Sequence, residues 1–338
     1  MKPTSATNFN LPLVSIIIPC RNEEKYIGKC LDSVILQDYP KEKTEVLVIN
    51  GMSEDGTSEL IKNYSQQYPI IRILDNPKKF TPFGLNIGIK EAKGEIIIRM
   101  DAHAEYEKDY ISQCVKYLNE CKADNVGGAI KTLPSNDNIW AKAIAIVLSH
   151  PFGAGNSFFR IGSKKPKWVD TVFGGCYRKE IFKKIGFFNE RLIRSQDIEL
   201  NQRLRKSGGK ILLVPDIKSY YYPQSNFIDF LKHNFNDGIW TIYPLKFGIK
   251  FFSWRHLAPL FFIFTLIILF EISSFSKIFY FLLLLIISLY LSVDILFSFS
   301  IAIKEKNFGL FFVLPFVFAN RHFGYGFGSF WGMIRILI

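Results

Sequence analysis

The chain has 338 residues, 49% of them hydrophobic, and its 42 Lys and Arg against 30 Asp and Glu give a formal net charge of +12. That length allows one large domain or two ordinary ones. The positive charge contains no run of five like residues and no nucleic-acid motif, which argues against a nucleic-acid partner and for an anionic membrane surface.

Residues 1–12 lack the apolar core of a signal peptide, so the polar part of the chain is expected to stay in the cytosol. An odd number of cysteines, five, with no Cys-x-x-Cys spacing, fits reduced thiols in that compartment. Residues 14–18, 45–49, 70–74 and 95–100 are short apolar, β-branched runs, and residues 24–36, 57–67 and 82–92 between them have helical spacing. Continuous apolar strands alternating with helices predict a mostly parallel sheet covered on both faces, with ligands at the carboxyl ends of its strands. Farther along, residues 139–149, 179–185 and 197–207 read as helices, the last closed by Gly208-Gly209. Residues 153–168 read as a Gly-rich basic loop and 168–173 as a strand. No linker or repeat divides this stretch, so one α/β domain is expected over residues 1–225.

Residues 226–256 form a separate segment, in which 227–250 mixes aromatics with His, Lys and Asn. It reads as an amphipathic stretch at the membrane interface, an ordinary surface helix being the alternative. Residues 257–338 read as a membrane anchor. Residues 257–270 and 278–303 predict a hairpin of spans, and 308–338 a third span or a re-entrant piece, giving two or three transmembrane helices. Asp294, the single charge of the second span, is expected to face water near a helix end, a functional role being the alternative.

Three polar turns follow the first, second and fourth strands. They are Pro19-Cys20-Arg21-Asn22-Glu23-Glu24, then Asn50-Gly51-Met52-Ser53-Glu54-Asp55-Gly56-Thr57, then Asp101-Ala102-His103. Each alone is an ordinary cap or turn. Together, at one rim of a sheet, their order and spacing are specific.

In this pattern the chain resembles the family 2 glycosyltransferases, over residues 13–245. In that family the first strand ends in a P-x-x-N-E-E-like turn, the second in D-x-G-S-x-D-G-T, and a DxD motif follows a later strand. Further segments are similar to those of bacterial succinoglycan-type exopolysaccharide glucosyltransferases: Ser149-His150-Pro151-Phe152-Gly153, the run from Val169 to Gly175, the run from Gln196 to Leu204, and Arg321-His322-Phe323-Gly324-Tyr325-Gly326.

The resemblance implies a GT-A fold, a Rossmann-like mostly parallel sheet flanked by helices, here with C-terminal transmembrane helices. It implies inverting transfer of a hexose from a UDP-sugar to a lipid-linked saccharide, at the cytoplasmic face of the inner membrane, in surface-polysaccharide synthesis. A departing nucleotide diphosphate gathers negative charge, which a divalent cation, Mn²⁺ or Mg²⁺, offsets. Side chains two apart in an extended segment point the same way. The resemblance gives Asp101 to ribose or metal and His103, where the family usually has Asp, to the metal. It gives Pro19 and Arg21 to the donor turn, Glu23 to the base or ribose, Asn50, where the family has Asp, to the uracil, and Lys79 to the diphosphate. Gly174 and Gly175 suit close approach of a sugar to the backbone, a tight turn being the alternative. Asn86 matches a structural Asn. Asp197 is the implied base that takes the acceptor's proton. The alternatives are that Asp197 caps a helix and that Glu199 or Glu190 is the base. Trp240 is expected to stack on a sugar or to anchor in the interface. The Q-x-x-R-W motif of processive synthases is missing, which favours single addition. Transfer to polyprenyl phosphate itself, or a non-catalytic scaffold with a degenerate GT-A domain, remain alternatives. The oligomeric state is left open.

Overall fold

The computed structural model describes residues 11–252 and 254–338, the side chain of Trp254 excepted; residues 1–10, which hold most of the segment read as lacking a leader, lie outside the described residues. The first half alternates strand and helix: β1 Val14–Cys20, α1 Ile27–Ile35, β2 Thr44–Asn50, α2 Thr57–Gln67, β3 Ile71–Asp75, α3 Thr81–Glu91 and β4 Ile96–Arg99. Then come β5 Ala104–Tyr106, α4 Tyr110–Glu120, β6 Asn125–Thr132, α5 Ile139–Ser149, α6 Pro151–Ala154, α7 Phe158–Ile161, β7 Lys167–Trp168, β8 Cys176–Arg178, α8 Glu180–Ile185, α9 Gln196–Lys206 and β9 Ile211–Tyr221. Four longer helices follow: α10 Phe227–Ile242, α11 Trp254–Ser273, α12 Lys277–Lys304 and α13 Gly309–Leu337.

The strands form one mixed sheet in the order β3-β2-β1-β4-β8-β6-β9-β5, with β7 beside β9. Pairs β3-β2, β2-β1 and β1-β4 are parallel; β8 enters antiparallel to both β4 and β6, and β6-β9 is parallel again. The runs of β-branched residues in β1 and β2 suit a strand buried on both faces. Val14, Ile16 and Ile18 pack on one side with Ile27, Leu31 and Ile111, while Ile17, Leu47 and Ile49 pack on the other with Leu85, Leu200 and Leu204. The five cysteines are unpaired and four of them are buried. The helix α9 ends as Gly208-Gly209 requires: Gly208 sits at φ +86°, its N–H donates to Arg205 O, and the Gly209 N–H donates to Leu204 O.

The expected strand at 168–173 shrinks to Lys167–Trp168; beyond it the chain leaves β9 and runs as a loop toward Gly174, with Thr171 and Val172 buried. The strands β6 and β9, which pair with each other over most of their length, had no clear apolar alternation to announce them.

The helix α10 lies flush on α13. A Cβ on Gly328 would sit 2.0 Å from Phe235 O, and one on Gly238 2.1 Å from Tyr325 O, so only glycine allows this approach. Asn234 Nδ2 donates to Asn320 Oδ1 across the interface at 3.0 Å, and Thr241 and Tyr325 share a hydroxyl hydrogen bond of 2.6 Å. Among the described residues two helices are long and apolar enough to cross a membrane, Arg255–Ser273 and Lys277–Lys304. Asp294 does not face water. It lies more than two turns inside the end of α12, where the packing of the helices leaves it 1% exposed, and it accepts from Ser298 Oγ.

Candidate active site

The rim begins with two interlocked turns. After β1, the Asn22 N–H donates to Ser53 Oγ, and the Asn22 side chain accepts from the Glu54 N–H at 2.9 Å. The Glu23 N–H donates to Thr57 Oγ1, the Glu24 N–H to Asp55, and Glu24 in turn accepts from the Gly56 N–H. The hydroxyl of Thr57, then backbone N–H groups, hold Asp55 below the ordinary carboxylate range. The polar residues of both motifs thus shape each other. Asn50, expected at the base, is buried and spends its amide inside its own loop: Oδ1 accepts from the N–H and the hydroxyl of Ser53, and Nδ2 donates to Ser58. Arg21 and Lys79 stand exposed at the lip, 3.5 and 3.4 Å from the same Glu54 oxygen. Exposed pairs of this kind are weak, so either cation can exchange Glu54 for another anion. Pro19 packs behind the rim, 3.5 Å from where a Cβ on Gly84 would be.

Asp101 is held by a residue the sequence reading passed over. Arg99, two positions earlier on the same side of β4, donates through Nε at 3.1 Å and Nη2 at 3.0 Å to Asp101 Oδ1. Burial works against the guanidinium charge, but the carboxylates of Asp101 and Asp197 outweigh it and raise its pKa. One guanidinium therefore feels the aspartate of the rim and the aspartate of α9. Its Nη1 is buried without a partner. Gly174 and Gly175, at φ +65° and +113°, lie against this strand: Gly175 O accepts from the Arg99 N–H, and a Cβ on Gly174 would come 2.7 Å from Arg99 O. The contact that demands glycine at 174 is with β4 itself, and at 175 it is with Tyr177 on β8 and Asn125 on β6.

His103 Nδ1 lies 3.0 Å from Glu23 Oε1. Burial lowers the imidazole pKa, yet the hydrogen bond and charge of Glu23, aided by Asp101, prevail and hold it above its ordinary value. Glu23, expected on the base or ribose, is thus turned to His103. His103 Nε2 and Asp101 Oδ2 have no hydrogen-bond partner among the described residues. A carboxylate on one ring nitrogen, with the other free, is how proteins orient a metal-binding imidazole. The pair therefore fits a divalent cation, whose arrival would displace the imidazole proton. No group of three or more His, Cys, Asp or Glu surrounds a cation site among the described residues, so most of the shell is left to substrate oxygens and water.

Asp197 stands in the first turn of α9, after Ser195 in the left-handed conformation at φ +59°. The N-cap position is taken by Ser195, and no hydrogen bond to the Asp197 carboxylate is seen among the described residues. Glu199 is buried and forked with Arg203, at 2.6 and 2.8 Å; Arg203 in turn donates to the carbonyls of Ile185 and Phe187. Glu190 is exposed and bonded to Asn86, whose amide also clamps Phe188 from both sides. Neither alternative base lines the cavity that Asp197 enters. One turn on, Asn201 ties α9 to the sheet through Asn125, Thr171 and Tyr177.

That cavity, about 490 Å³, lies between α9 and the helices α10–α13. Asp237 on α10 projects into it as the centre of an ion cluster: Arg194 Nη1 at 2.8 Å, His233 Nε2 at 3.2 Å and Arg321 Nη1 at 3.8 Å. Burial would raise its pKa, but His233 first, then Arg194 and Arg321, hold it well below the ordinary range. Its one sequence signal was an acid four residues after His233. Tyr221, at the end of β9, touches residues of both regions, with the His103 ring at 5.4 Å and the Arg160 guanidinium at 5.6 Å. Trp240 does not line the cavity; its ring meets Tyr243.

The profile described as Glycosyl transferase family 2 matches residues 15–186. A Methanococcus voltae relative, dolichyl N-acetyl-alpha-D-glucosaminyl phosphate 3-beta-D-2,3-diacetamido-2,3-dideoxy-beta-D-glucuronosyltransferase, is 31% identical over 330 residues, 95% of this chain and 97% of its own length. The chain belongs to glycosyl transferase family 2. The succinoglycan biosynthesis protein ExoA of Rhizobium meliloti is 28% identical to this glycosyltransferase, over 72% of the chain and 80% of the relative. Among solved structures, the mannosyltransferase PcManGT of Pyrobaculum calidifontis, in complex with GDP-Man and Mn²⁺, aligns with a TM-score of 0.52 at 21% identity. It covers 66% of the glycosyltransferase, which in turn spans 61% of that chain. TarS of S. aureus, in complex with UDP-GlcNAc, aligns with a TM-score of 0.50 at 18% identity, over 68% of this chain and 66% of its own. The glycosyltransferase thus spans a little under two thirds of those solved chains, and the likeness establishes the GT-A fold.

Proposed function

We propose that this enzyme is an inverting hexosyltransferase that moves a sugar from a UDP-sugar to a lipid-linked saccharide at the cytoplasmic face of the membrane, in surface-polysaccharide synthesis. The observation that carries the reading is that Arg99, which hydrogen-bonds Asp101 at the rim, is also within reach of the charge of Asp197, which lines the cavity. Donor and acceptor would then meet across one guanidinium. In this reading Asp197 takes the proton of the acceptor hydroxyl as its oxygen attacks the anomeric carbon from the cavity side. The bond from that carbon to the diphosphate breaks, and UDP leaves on the rim side with the configuration inverted. Bound by Asp101 and His103, Mn²⁺ or Mg²⁺ would offset the charge growing on the diphosphate. Arg21 and Lys79 exchange Glu54 for phosphate oxygens, and Arg99 keeps Asp101 and Asp197 in place. The cavity's second wall includes residues of α11 and α12, the two helices apolar enough to span a bilayer. This supports residues 1–225 as the catalytic domain, 226–256 as the interfacial segment and 257–338 as the anchor, and it supports an acceptor that arrives from the membrane. The name of the Methanococcus relative, whose acceptor carries a dolichyl phosphate, supports the same acceptor class.

The test is UDP release by membranes that contain lipid-linked acceptor and Mn²⁺. Activity is expected to vanish with chelator, to return with metal, and to be lost in Asp101→Ala and Asp197→Ala. Variants that turn over like the parent would sink the assignment, and a sugar–monophosphate lipid product would shift it to transfer onto polyprenyl phosphate itself.

A further inference from the structure

The cavity at Asp197 has a positively charged wall that the transfer step above does not use. Arg160 from α7, Arg255 from α11 and Arg321 from α13 all line it. Two of them are anchored: Arg255 Nη2 is 2.7 Å from Asp170 Oδ2, and Arg321 Nη1 donates to Asn234 Oδ1 at 2.6 Å. Arg160 is different. Among the described residues no carboxylate lies within ion-pair distance of it, and its guanidinium rests on the rings of Phe159 and Tyr221 at 5.4 and 5.6 Å. Its Nη1 is fully buried without a hydrogen-bond partner. Burial pulls the guanidinium pKa below its ordinary value, only partly offset by Tyr221 and Asp237. A charged donor left in this state is unfavourable unless a ligand supplies the acceptor. Beyond it the lining turns apolar, through Pro259 and Phe262 on α11 and Tyr290 on α12.

We propose that this wall binds the phosphate of a prenyl-linked acceptor, with Arg160 as the principal contact and the hydrocarbon chain running over Pro259, Phe262 and Tyr290 toward the membrane helices. The proposal deepens the reading above and rests on its lipid-linked acceptor. The donor diphosphate is the other anion that could reach a guanidinium here. The donor rim, however, has its own exposed cations in Arg21 and Lys79. Arg255 and Arg321, by contrast, approach from the anchor helices. A bidentate guanidinium matches a phosphate better than any other side chain, and a cavity of this size falls in the range that encloses a small headgroup.

The test uses the full chain in detergent with two probes that differ only in their anion, farnesyl diphosphate and farnesol, and UDP with Mn²⁺ as the donor-side control. Farnesyl diphosphate is expected to bind at least about tenfold tighter than farnesol, and Arg160→Gln to remove that advantage while UDP binding stays unchanged. Arg160→Lys should restore part of it. Should Arg160→Gln fail to fold, phenylglyoxal modification of the parent protein answers the question: farnesyl diphosphate should protect Arg160, and farnesol and UDP should not. Equal binding of the two farnesyl probes, loss of UDP binding in Arg160→Gln, or protection by UDP alone would each overturn the proposal. Asp197→Asn separates the two readings, since it should abolish transfer yet keep farnesyl diphosphate binding. Transfer that survives Asp197→Asn, with probe binding still dependent on Arg160, would discard the base and leave the subsite standing.

Discussion

The rim and the cavity are two halves of one site built by opposite means. The rim is local: two turns, each a few residues after its strand, satisfy one another through Asn22, Glu24, Ser53 and Thr57. The cavity is assembled from α6, α7, α9, α10, α11, α12 and α13, so residues 152 and 322 share a wall. A site made of turns tolerates substitution at its lip, because each exposed pair is worth little. A site made by docking helices fails when the docking fails. Arg99 is where the two meet.

The largest effect that could break this picture is at the base. Asp197→Asn should lower kcat by about 10²–10⁴-fold with little change in nucleotide binding; steady-state kinetics beside UDP titration measures both. Next is the docking. Gly328→Val drives a side chain into Phe235 O and should cost about 3 kcal/mol of stability, read by thermal melting, with acceptor turnover lost before donor binding. Arg99→Gln removes both hydrogen bonds to Asp101 and should cut kcat/KM about 10–100-fold, the range for residues that orient a metal ligand. If it affects only the donor KM, the two halves are not joined through Arg99.

Asp237→Asn sharpens the comparison through pH. Its neighbours depress the carboxylate pKa, so the folded state gains from Asp237 at every pH above the ordinary value of 3.8 and loses that gain only as pH falls through the depressed one. Near neutral pH the variant should be less stable by about 2 kcal/mol, between the exposed and buried limits for ion pairs. The gap should persist from pH 7 to pH 4 and close only in strong acid, as the depressed value is crossed, which a melting series carried well below pH 3 would record. The smallest effect belongs to the lip: Glu54→Gln should change stability by no more than about 0.5 kcal/mol and, by freeing Arg21 and Lys79, should leave donor affinity equal or better.

The same contrast explains what could be read in advance. The helices at 57–67 and 139–149 came out at their expected ends, because their apolar spacing and boundary residues are local. The rim turns were legible for the same reason, as was the Gly208-Gly209 stop. Strand β9 was not: Pro215 interrupts it, and its register against β6 shifts between Gly128 and Ala129, a bulge no alternation pattern encodes. Asn50 shows the limit of motif reasoning. Its position matches a base-binding residue, and the motif gave no sign that its buried amide also binds Ser53 and Ser58 within its own loop. Asp237 and Arg160 were hidden, and Arg321 was legible only as part of a family-like segment, because an ion cluster or an anion wall is defined by partners that lie far away in sequence.

The helix α13 has a consequence for the order of synthesis. Its glycines seat it on α10, and Arg321 from it closes one side of the chamber at Asp197, yet the ribosome delivers it after every other wall. The sheet, Asp101 and Asp197 can be in place while α13 is still unmade. A nascent chain that captured donor at that moment would offer it only solvent. Seating of the late helix would therefore serve as a maturation step, separating a polypeptide able to waste nucleotide sugar from one able to build with it.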